Sequence, residues 1–195
     1  MKRRSGNTLL SGQEKEPTGK TGASLTASSE QAAIGLFLKA KYRLLDVDHW
    51  ADFCGPFTLS FQLADPAGDP LGAGAPAVAD NYIKATIPGS REDGTSYWLR
   101  IEKAEHHRIS ENYELFLLQL RPCADPGLSA GKALQEPAGP TQQDPAASSF
   151  TIERDGQRVN MTVYGGNETP DPSASFLPAP HWQALIKGLL SSVFR

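Results

Sequence analysis

Apolar and polar residues alternate in several segments of the chain, which is the pattern of half-buried β-strands. Residues 57–63 alternate without an error, so they should bury one face made of Phe57, Leu59, Phe61 and Leu63. Further strands are predicted at 82–87, 97–103 and 113–121, the last apolar on both faces like a central strand. The dipeptide Asp155-Gly156 predicts a hairpin with five buried positions: Phe150, Ile152, Val159, Met161 and Val163.

Apolar residues at helical spacing precede and follow these strands. Ser28 and Gln31 have the spacing of a capping box, and the helix after them should bury Ile34, Phe37, Leu38, Leu44 and Leu45. The carboxy-terminal stripe consists of Trp182, Leu185, Ile186, Leu189, Leu190 and Val193. We therefore predict an α+β fold, with a curved, mostly antiparallel sheet of about six strands. An amino-terminal helical segment and a carboxy-terminal amphipathic helix should cover this sheet.

Composition divides the chain into a tail and one domain. Residues 1–27 are rich in Gly, Ser, Thr, Lys and Glu, so we predict a disordered tail there. Residues 28–195 should form a single domain, because 195 residues are few for two. Within this domain, the Ala- and Pro-rich stretch at 122–147 is predicted to be a flexible loop.

Charge and hydropathy exclude several classes of function. A net charge of -3 and a pI near 5.8 argue against a nucleic-acid partner, which requires a concentrated basic face. No apolar stretch is long enough to cross a bilayer, and no secretory signal follows Lys2-Arg3-Arg4, so we predict a cytoplasmic protein without membrane association. Cys54 and Cys123 are predicted to be reduced thiols, the alternative being one bridge in an exported protein.

Two motifs suggest enzymes but lack the required context. Ser129 lies in a G-x-S-x-G match, yet Asp125-Pro126 precede it where a nucleophile elbow needs a strand. His106 and His107 are neighbours on a predicted strand, so their side chains should point to opposite faces and not chelate one metal ion. We therefore predict no catalytic residue, metal or cofactor.

The segment 165–168 (GGNE) allows two interpretations. Its glycines permit a close approach by a ligand, while Asn167 and Glu168 supply hydrogen-bonding and ionisable groups. Alternatively the two glycines end the strand and Asn167 bonds its own backbone as a turn residue. The strand-end interpretation is favoured, and Asn167 and Glu168 remain candidate binding residues.

The leading hypothesis is a soluble, non-enzymatic interaction or binding module of bacterial type. Its partner would be an unknown protein or small molecule. The alternative is a binder of an apolar small molecule, or an enzyme, with a cavity between the sheet and the closing helix. Trp50, Trp98 and Tyr113 are the expected wall residues of that cavity, because ligand pockets are lined mainly by apolar and aromatic groups.

Two resemblances accompany these patterns. Residues 80–89 (DNYIKATIPG), 97–102 (YWLRIE), 149–154 (SFTIER) and Gly166-Asn-Glu before Pro170 resemble a group of uncharacterised bacterial proteins with no assigned activity. Residues 44–53 (LLDVDHWADF), together with the closing helix, look like parts of helix-grip ligand-binding domains. That fold has a strand before its first helix, and residues 1–27 show no strand pattern.

Overall fold

The computed structural model of the chain describes residues 20–53, 60–87, 95–129, 147–164 and 179–191. The strands are β1 Lys20–Thr26, β2 Ser60–Ala64, β3 Tyr82–Ile87, β4 Thr95–Arg108, β5 Tyr113–Cys123, β6 Ser148–Asp155 and β7 Arg158–Tyr164. The helices are α1 Glu30–Leu45, α2 Trp50–Phe53, α3 Pro126–Ser129 and α4 Ala179–Leu190, with a 3-10 turn at Val47–His49.

The seven strands form one antiparallel sheet in the order β1-β7-β6-β5-β4-β3-β2, which leaves β1 and β2 as its two edges. The predicted hairpin is confirmed, and Gly156 occupies its turn at a φ of 55°, in the left-handed region that favours glycine. A register shift between Ile101 and Lys103 marks a bulge in β4, and such bulges bend a sheet. The predicted α+β fold with a curved antiparallel sheet is therefore confirmed.

The alternation of side chains gives the sheet two different faces. The inner face lies against α1 and α4 and carries the apolar core. Its buried residues on the strands include Phe61, Leu63, Ile83, Leu99, Ile101, Phe116, Leu118, Leu120, Phe150, Ile152, Val159, Met161 and Val163. We call the opposite side of the sheet the outer face.

Helix α1 packs on the inner face through a set of residues that matches the prediction in part, since Phe37 and Leu44 are buried as predicted and Ile34 and Leu45 are half-buried. Ala33 and Ala40 are buried beside Phe37 and Leu44, whereas Leu38 is exposed. Two alanines on the buried face let the helix approach the sheet closely, and its apolar stripe is thereby rotated. The amino-terminal cap is Ser29, one residue after the predicted Ser28, because the hydroxyl group of Ser29 accepts the N–H of Ala32.

Helix α4 buries Leu185, Ile186, Leu189 and Leu190 as predicted, while the side chains of Trp182 and Val193 lie outside the described part of the structure. Its carboxyl end is capped from α1. The Arg43 guanidinium group donates hydrogen bonds to carbonyl oxygens at this end, those of Gly188, Leu189 and Ser191, at 3.4, 3.1 and 2.7 Å. A cation there stabilises a helix by satisfying its last carbonyl groups.

The main correction concerns the amino-terminal segment. Lys20–Thr26 form strand β1, which pairs with β7 along its whole length, whereas the sequence analysis places these residues in a disordered tail. The described sheet therefore has seven strands instead of about six, and one strand precedes the first helix. Residues 1–19 lie outside the described residues.

The Ala- and Pro-rich stretch is described only at its beginning. Residues up to Cys123 continue β5, and Pro126–Ser129 form the helical turn α3, so the predicted loop starts later than residue 122. Residues 130–146 lie outside the described ranges. Among the helices of the described chain, none has the length and hydropathy to cross a membrane.

Candidate functional site

The glycine-flanked cluster at 165–168 lies outside the described residues, which stop at Tyr164 and resume at Ala179. Asn167 and Glu168 therefore stay predictions as binding residues.

The three aromatic residues predicted to line one cavity do not lie together. Trp50 is buried on the helical side of the sheet, where its indole N–H donates to the carbonyl oxygen of Leu44 at 3.1 Å. Trp98 and Tyr113 belong to the outer face. Trp98 is paired with Cys123, the last residue of β5, and Tyr113 is the first residue of the same strand. Ten residues of extended strand, about 33 Å, separate these two positions.

The interior between α4 and the sheet is filled at the side chains that the structure describes. Eight large ones have no surface open to solvent: Phe37, Trp50, Phe150, Ile152, Met161, Leu185, Ile186 and Leu189. A void large enough to hold a water molecule would leave accessible surface area on the side chains that line it. These residues therefore border no such void, as in a close-packed core.

A polar depression of about 370 Å³ lies on the outer face over β1, β7 and β6. It is lined by Lys20, Gly22, Ala23, Ser24, Thr151, Glu153, Arg158, Asn160, Thr162 and Tyr164. Gly22 contributes no side chain, which deepens the surface between its neighbours. The walls are mostly hydroxyl, amide and charged groups, so the depression suits a polar ligand or a polar segment of a partner.

Hydrogen bonds within the polar depression fix several of its side chains. The Arg158 guanidinium group donates to the Asn160 amide oxygen at 3.1 Å and to the Ser24 hydroxyl at 3.4 Å. The Lys20 ammonium group lies 5.7 Å from the centre of the Tyr164 ring, within the range of a cation–π contact. Both cations keep hydrogen-bonding capacity for an incoming acceptor, because an ammonium and a guanidinium group carry three and five N–H donors.

Glu153, the acidic residue of the polar depression, is engaged by a neighbour on the outer face. Interaction of its carboxylate with the Tyr113 hydroxyl raises the pKa of Tyr113, with burial adding to the effect. Tyr113 is thereby connected to the polar depression on the outer face and not to the helical side of the sheet, where the predicted cavity would lie.

A buried ionic cluster lies on the inner face at the opposite end of the strands from Trp98. Arg154 is 1 % exposed, and its Nε donates to Glu114 Oε1 at 2.6 Å. The other carboxylate oxygen of Glu114 lies 3.0 Å from His106 Nε2, and Lys41 Nζ of α1 lies 3.3 Å from His106 Nδ1. We call these four residues the Glu114 cluster.

The geometry of the Glu114 cluster favours a structural role. Both ring nitrogens of His106 have a partner, since Nδ1 contacts the Lys41 ammonium group and Nε2 contacts the Glu114 carboxylate. The ring thus links α1 to β5. Burial acts to raise the pKa of Glu114, but hydrogen bonds from Arg154 and His106 outweigh it and hold that pKa below the ordinary value.

The Glu114 cluster is absent from the predicted sites, although the sequence contains a signal for it. Arg154 continues the inward series of Phe150 and Ile152, and Glu114 occupies the inward position directly opposite it on β5. Opposite charges at facing inward positions of paired strands predict a buried ion pair.

The histidines behave as the strand pattern predicts. His106 contacts Glu114 on the inner face, and His107 contacts Glu105 at 3.1 Å on the outer face, so the two rings point to opposite sides. Across the described ranges, no group of three or more His, Cys, Asp or Glu side chains could hold a metal ion. Cys123 carries a free thiol, and Cys54 lies outside the described residues.

Comparison with known proteins gives no assignment: no protein-family model matches the chain, and no curated protein matches it.

Proposed function

We propose that the protein is a non-enzymatic interaction domain that binds its partner on the outer face of the sheet, over β1, β7 and β6. The observation that supports this most is the contrast between the two sides of the sheet. The described interior is filled with apolar side chains, while the polar depression presents open hydrogen-bonding groups on a rigid antiparallel sheet. Sites built on strands hold their groups in place without a large ordering cost on binding.

The second candidate is a carrier of an apolar small molecule between α4 and the sheet. The strand β1 favours it, because that strand completes the arrangement expected of a helix-grip domain. Against it, an apolar ligand there would have to displace side chains such as Met161 and Ile186, which have no surface open to solvent. A cytoplasmic location belongs to the proposal and is supported by the presence of two cysteines in 195 residues.

Site-specific photo-crosslinking in the native host tests the interaction proposal. A benzophenone amino acid would replace Tyr164, which borders the polar depression and is 37 % exposed. The matched control replaces Tyr42, which lies on α1 and is 68 % exposed. We expect discrete protein adducts from position 164 and none from position 42, because the partner is proposed to contact the outer face.

Two results would contradict the interaction proposal. One is the absence of adducts at position 164, and the other is a similar adduct pattern at both positions. Native mass spectrometry of the purified protein supplies the complementary readout. A copurified apolar molecule that is lost in Met161→Trp, where the larger side chain occupies the space under α4, would support the carrier function instead.

A further inference from the structure

The two edges of the sheet differ in how their backbone groups are satisfied. On β2, the outward N–H of Leu63 donates to Asp48 Oδ1 at 2.7 Å, and its C=O accepts the N–H of Leu71 at 2.9 Å. A bridge between Ala64 and Pro70 covers the end of that edge. Edges capped in this way resist the addition of another strand.

Among the residues that the structure describes, none covers the edge formed by β1, which we call the open edge. The N–H of Ala27 donates to the carbonyl oxygen of Gln157 at 2.8 Å, and the register continues through Leu25 opposite Val159. Odd-numbered residues of β1 therefore bond to β7, and even-numbered residues direct their N–H and C=O groups outward. These even-numbered residues are Lys20, Gly22, Ser24 and Thr26, and none of their backbone groups bonds to another part of the described chain.

Side chains along this edge leave room for an added strand. Gly22, Ser24 and Thr26 are small and exposed, and β1 contains no proline and no bulge. Leu25 is 38 % exposed on the side of the sheet that faces α4, where an apolar side chain of a partner could pack. Seven residues give an edge of about 23 Å.

Charge on the two outermost strands has one sign, while Asp155 of β6 is paired with Arg158 on its inner-strand side. Strands β1 and β7 contain two charged residues, Lys20 and Arg158, and both are cations. Lys20 stands at the first position of β1, and Arg158 is paired with Thr26 at the last. Both lie on the outer face, six strand positions apart, so they would meet side chains on a single face of an added strand.

We propose that β1 accepts an extended, acidic peptide segment of a partner protein as an eighth strand of the sheet. Backbone hydrogen bonds to Gly22, Ser24 and Thr26 supply the pairing, and acidic side chains near Lys20 and Arg158 supply the specificity. The inference rests on the proposed interaction function and names the partner chemistry. Acidic residues six positions apart, with apolar residues between them on the other face, define the segment.

A second copy of this chain fits the edge less well. A two-fold dimer would pair β1 with itself in the antiparallel sense. Lys20 of one protomer would then lie opposite Thr26 of the other. Two strand spacings, about 10 Å, would separate this lysine from Arg158 of the other protomer, and both would lie on the outer face. The dimer would bring these cations together twice, whereas an acidic peptide neutralises them.

The test is fluorescence anisotropy with a labelled, acetylated peptide of sequence Glu-Val-Thr-Val-Ser-Val-Glu, whose seven residues match the length of β1. A second peptide carries Lys in place of both Glu residues. We expect the acidic peptide to bind the full-length protein at least tenfold more tightly than the basic one. In Lys20→Glu/Arg158→Glu the preference should reverse, which a purely structural role of these residues would not produce.

A pair of variants at position 24 tests the backbone pairing. Ser24→Pro removes an outward N–H without touching a bond to β7, and proline is tolerated on edge strands. Ser24→Ala keeps that N–H and is the control. We expect Ser24→Pro to weaken binding of the acidic peptide at least tenfold and Ser24→Ala to leave it within twofold.

Several outcomes would overturn the strand-addition proposal. They are equal binding of the two peptides, equal binding by the two Ser24 variants, or a dimer in sedimentation that Ser24→Pro abolishes. Should Ser24→Pro fail to fold, the reversed preference of the charge variant decides alone. Crosslinks from position 164 that persist in a folded Ser24→Pro protein would leave the interaction function standing and remove the strand addition.

Discussion

Arg154 is buried, yet each part of its guanidinium group has an acceptor. Besides Glu114, it donates to the carbonyl oxygens of Glu111, Asn112 and Gly156, at 2.8, 3.3 and 3.4 Å. These carbonyl groups belong to the β4–β5 connection and to the β6–β7 turn. One side chain thus holds two turns at the same end of the sheet, and its charge is tolerated because Glu114 neutralises it.

Glu114→Gln should therefore destabilise the protein by about 3–5 kcal/mol at neutral pH, since it leaves the charge of Arg154 buried without a counterion. The matched control is Glu105→Gln, which affects an exposed contact with His107 and should cost less than about 1 kcal/mol. Urea unfolding measures both. A loss of unfolding free energy in Glu114→Gln no larger than that in the control would contradict the role of Glu114 as the counterion of Arg154.

The difference in stability between the wild type and Glu114→Gln should depend on pH. The pKa of Glu114 is lowered on folding, so its stabilising contribution is complete above the ordinary value of 4.5 and is lost as the pH falls through the folded-state pKa. The difference in unfolding free energy between the wild type and Glu114→Gln should be constant near neutral pH and narrow below 4.5. A difference in unfolding free energy that widens on acidification would contradict the lowered pKa of Glu114.

At the scale of elements, two helical glycines have opposite surroundings. A Cβ on Gly188 of α4 would lie 2.5 Å from the carbonyl oxygen of Phe53 and 2.7 Å from its Cβ, so glycine permits the close packing of α4 on α2. A Cβ on Gly35 of α1 would have nothing within 4 Å. The same substitution should therefore act in opposite directions on the two helices.

Gly188→Ala should destabilise the protein by about 1–3 kcal/mol, because the added methyl group forces the helices apart. Gly35→Ala should stabilise it by about 0.5–1 kcal/mol, because alanine loses less backbone entropy in an exposed helix. Thermal and urea unfolding check both values. Destabilisation of similar size in the two variants would show that helix contact does not decide the effect.

Elements with strong apolar alternation were predictable from the sequence. Elements whose position depends on contacts with other elements of the fold were not. Tyr82–Ile87 and the Asp155-Gly156 hairpin were predicted at the observed positions, since their patterns are local. Strand β1 was missed because Gly22, Ala23 and Ser24 give it little apolar contrast, and its pairing with β7 supplies the stability that its sequence lacks. The buried face of α1 was predicted at Phe37 and Leu44 but missed Ala33 and Ala40, because alanines are not recognisable as contact residues without the sheet.

The candidate site was less predictable than the fold. Trp50, Trp98 and Tyr113 were grouped by their aromatic character. Trp50 belongs to α2 on the helical side of the sheet, whereas Trp98 and Tyr113 lie on the outer face at opposite ends of β5. The polar depression is built from the β6–β7 hairpin and from β1, which is remote from the hairpin in sequence and was not predicted. A site of this kind becomes visible when the strand order is known.

At the scale of the molecule, the described residues give the sheet one filled face, one face with a polar depression, one capped edge and one open edge. The last two features decide where a strand could be added. Since the open edge adjoins the polar depression, backbone pairing and side-chain recognition would occur at the same place. The central claim is that the outward groups of β1 are free in the isolated protein and become bonded on binding.

Amide hydrogen exchange along β1, measured by nuclear magnetic resonance, tests this claim most directly. In the free protein, the amides of Gly22, Ser24 and Thr26 should exchange rapidly, while those of Ala23 and Leu25 are protected by β7. Addition of the acidic peptide should slow exchange at the amides of Gly22, Ser24 and Thr26 by at least tenfold. Exchange at the amides of Ala23 and Leu25 should change little. Protection of the outward amides in the free protein, or no change on addition of the peptide, would contradict the account.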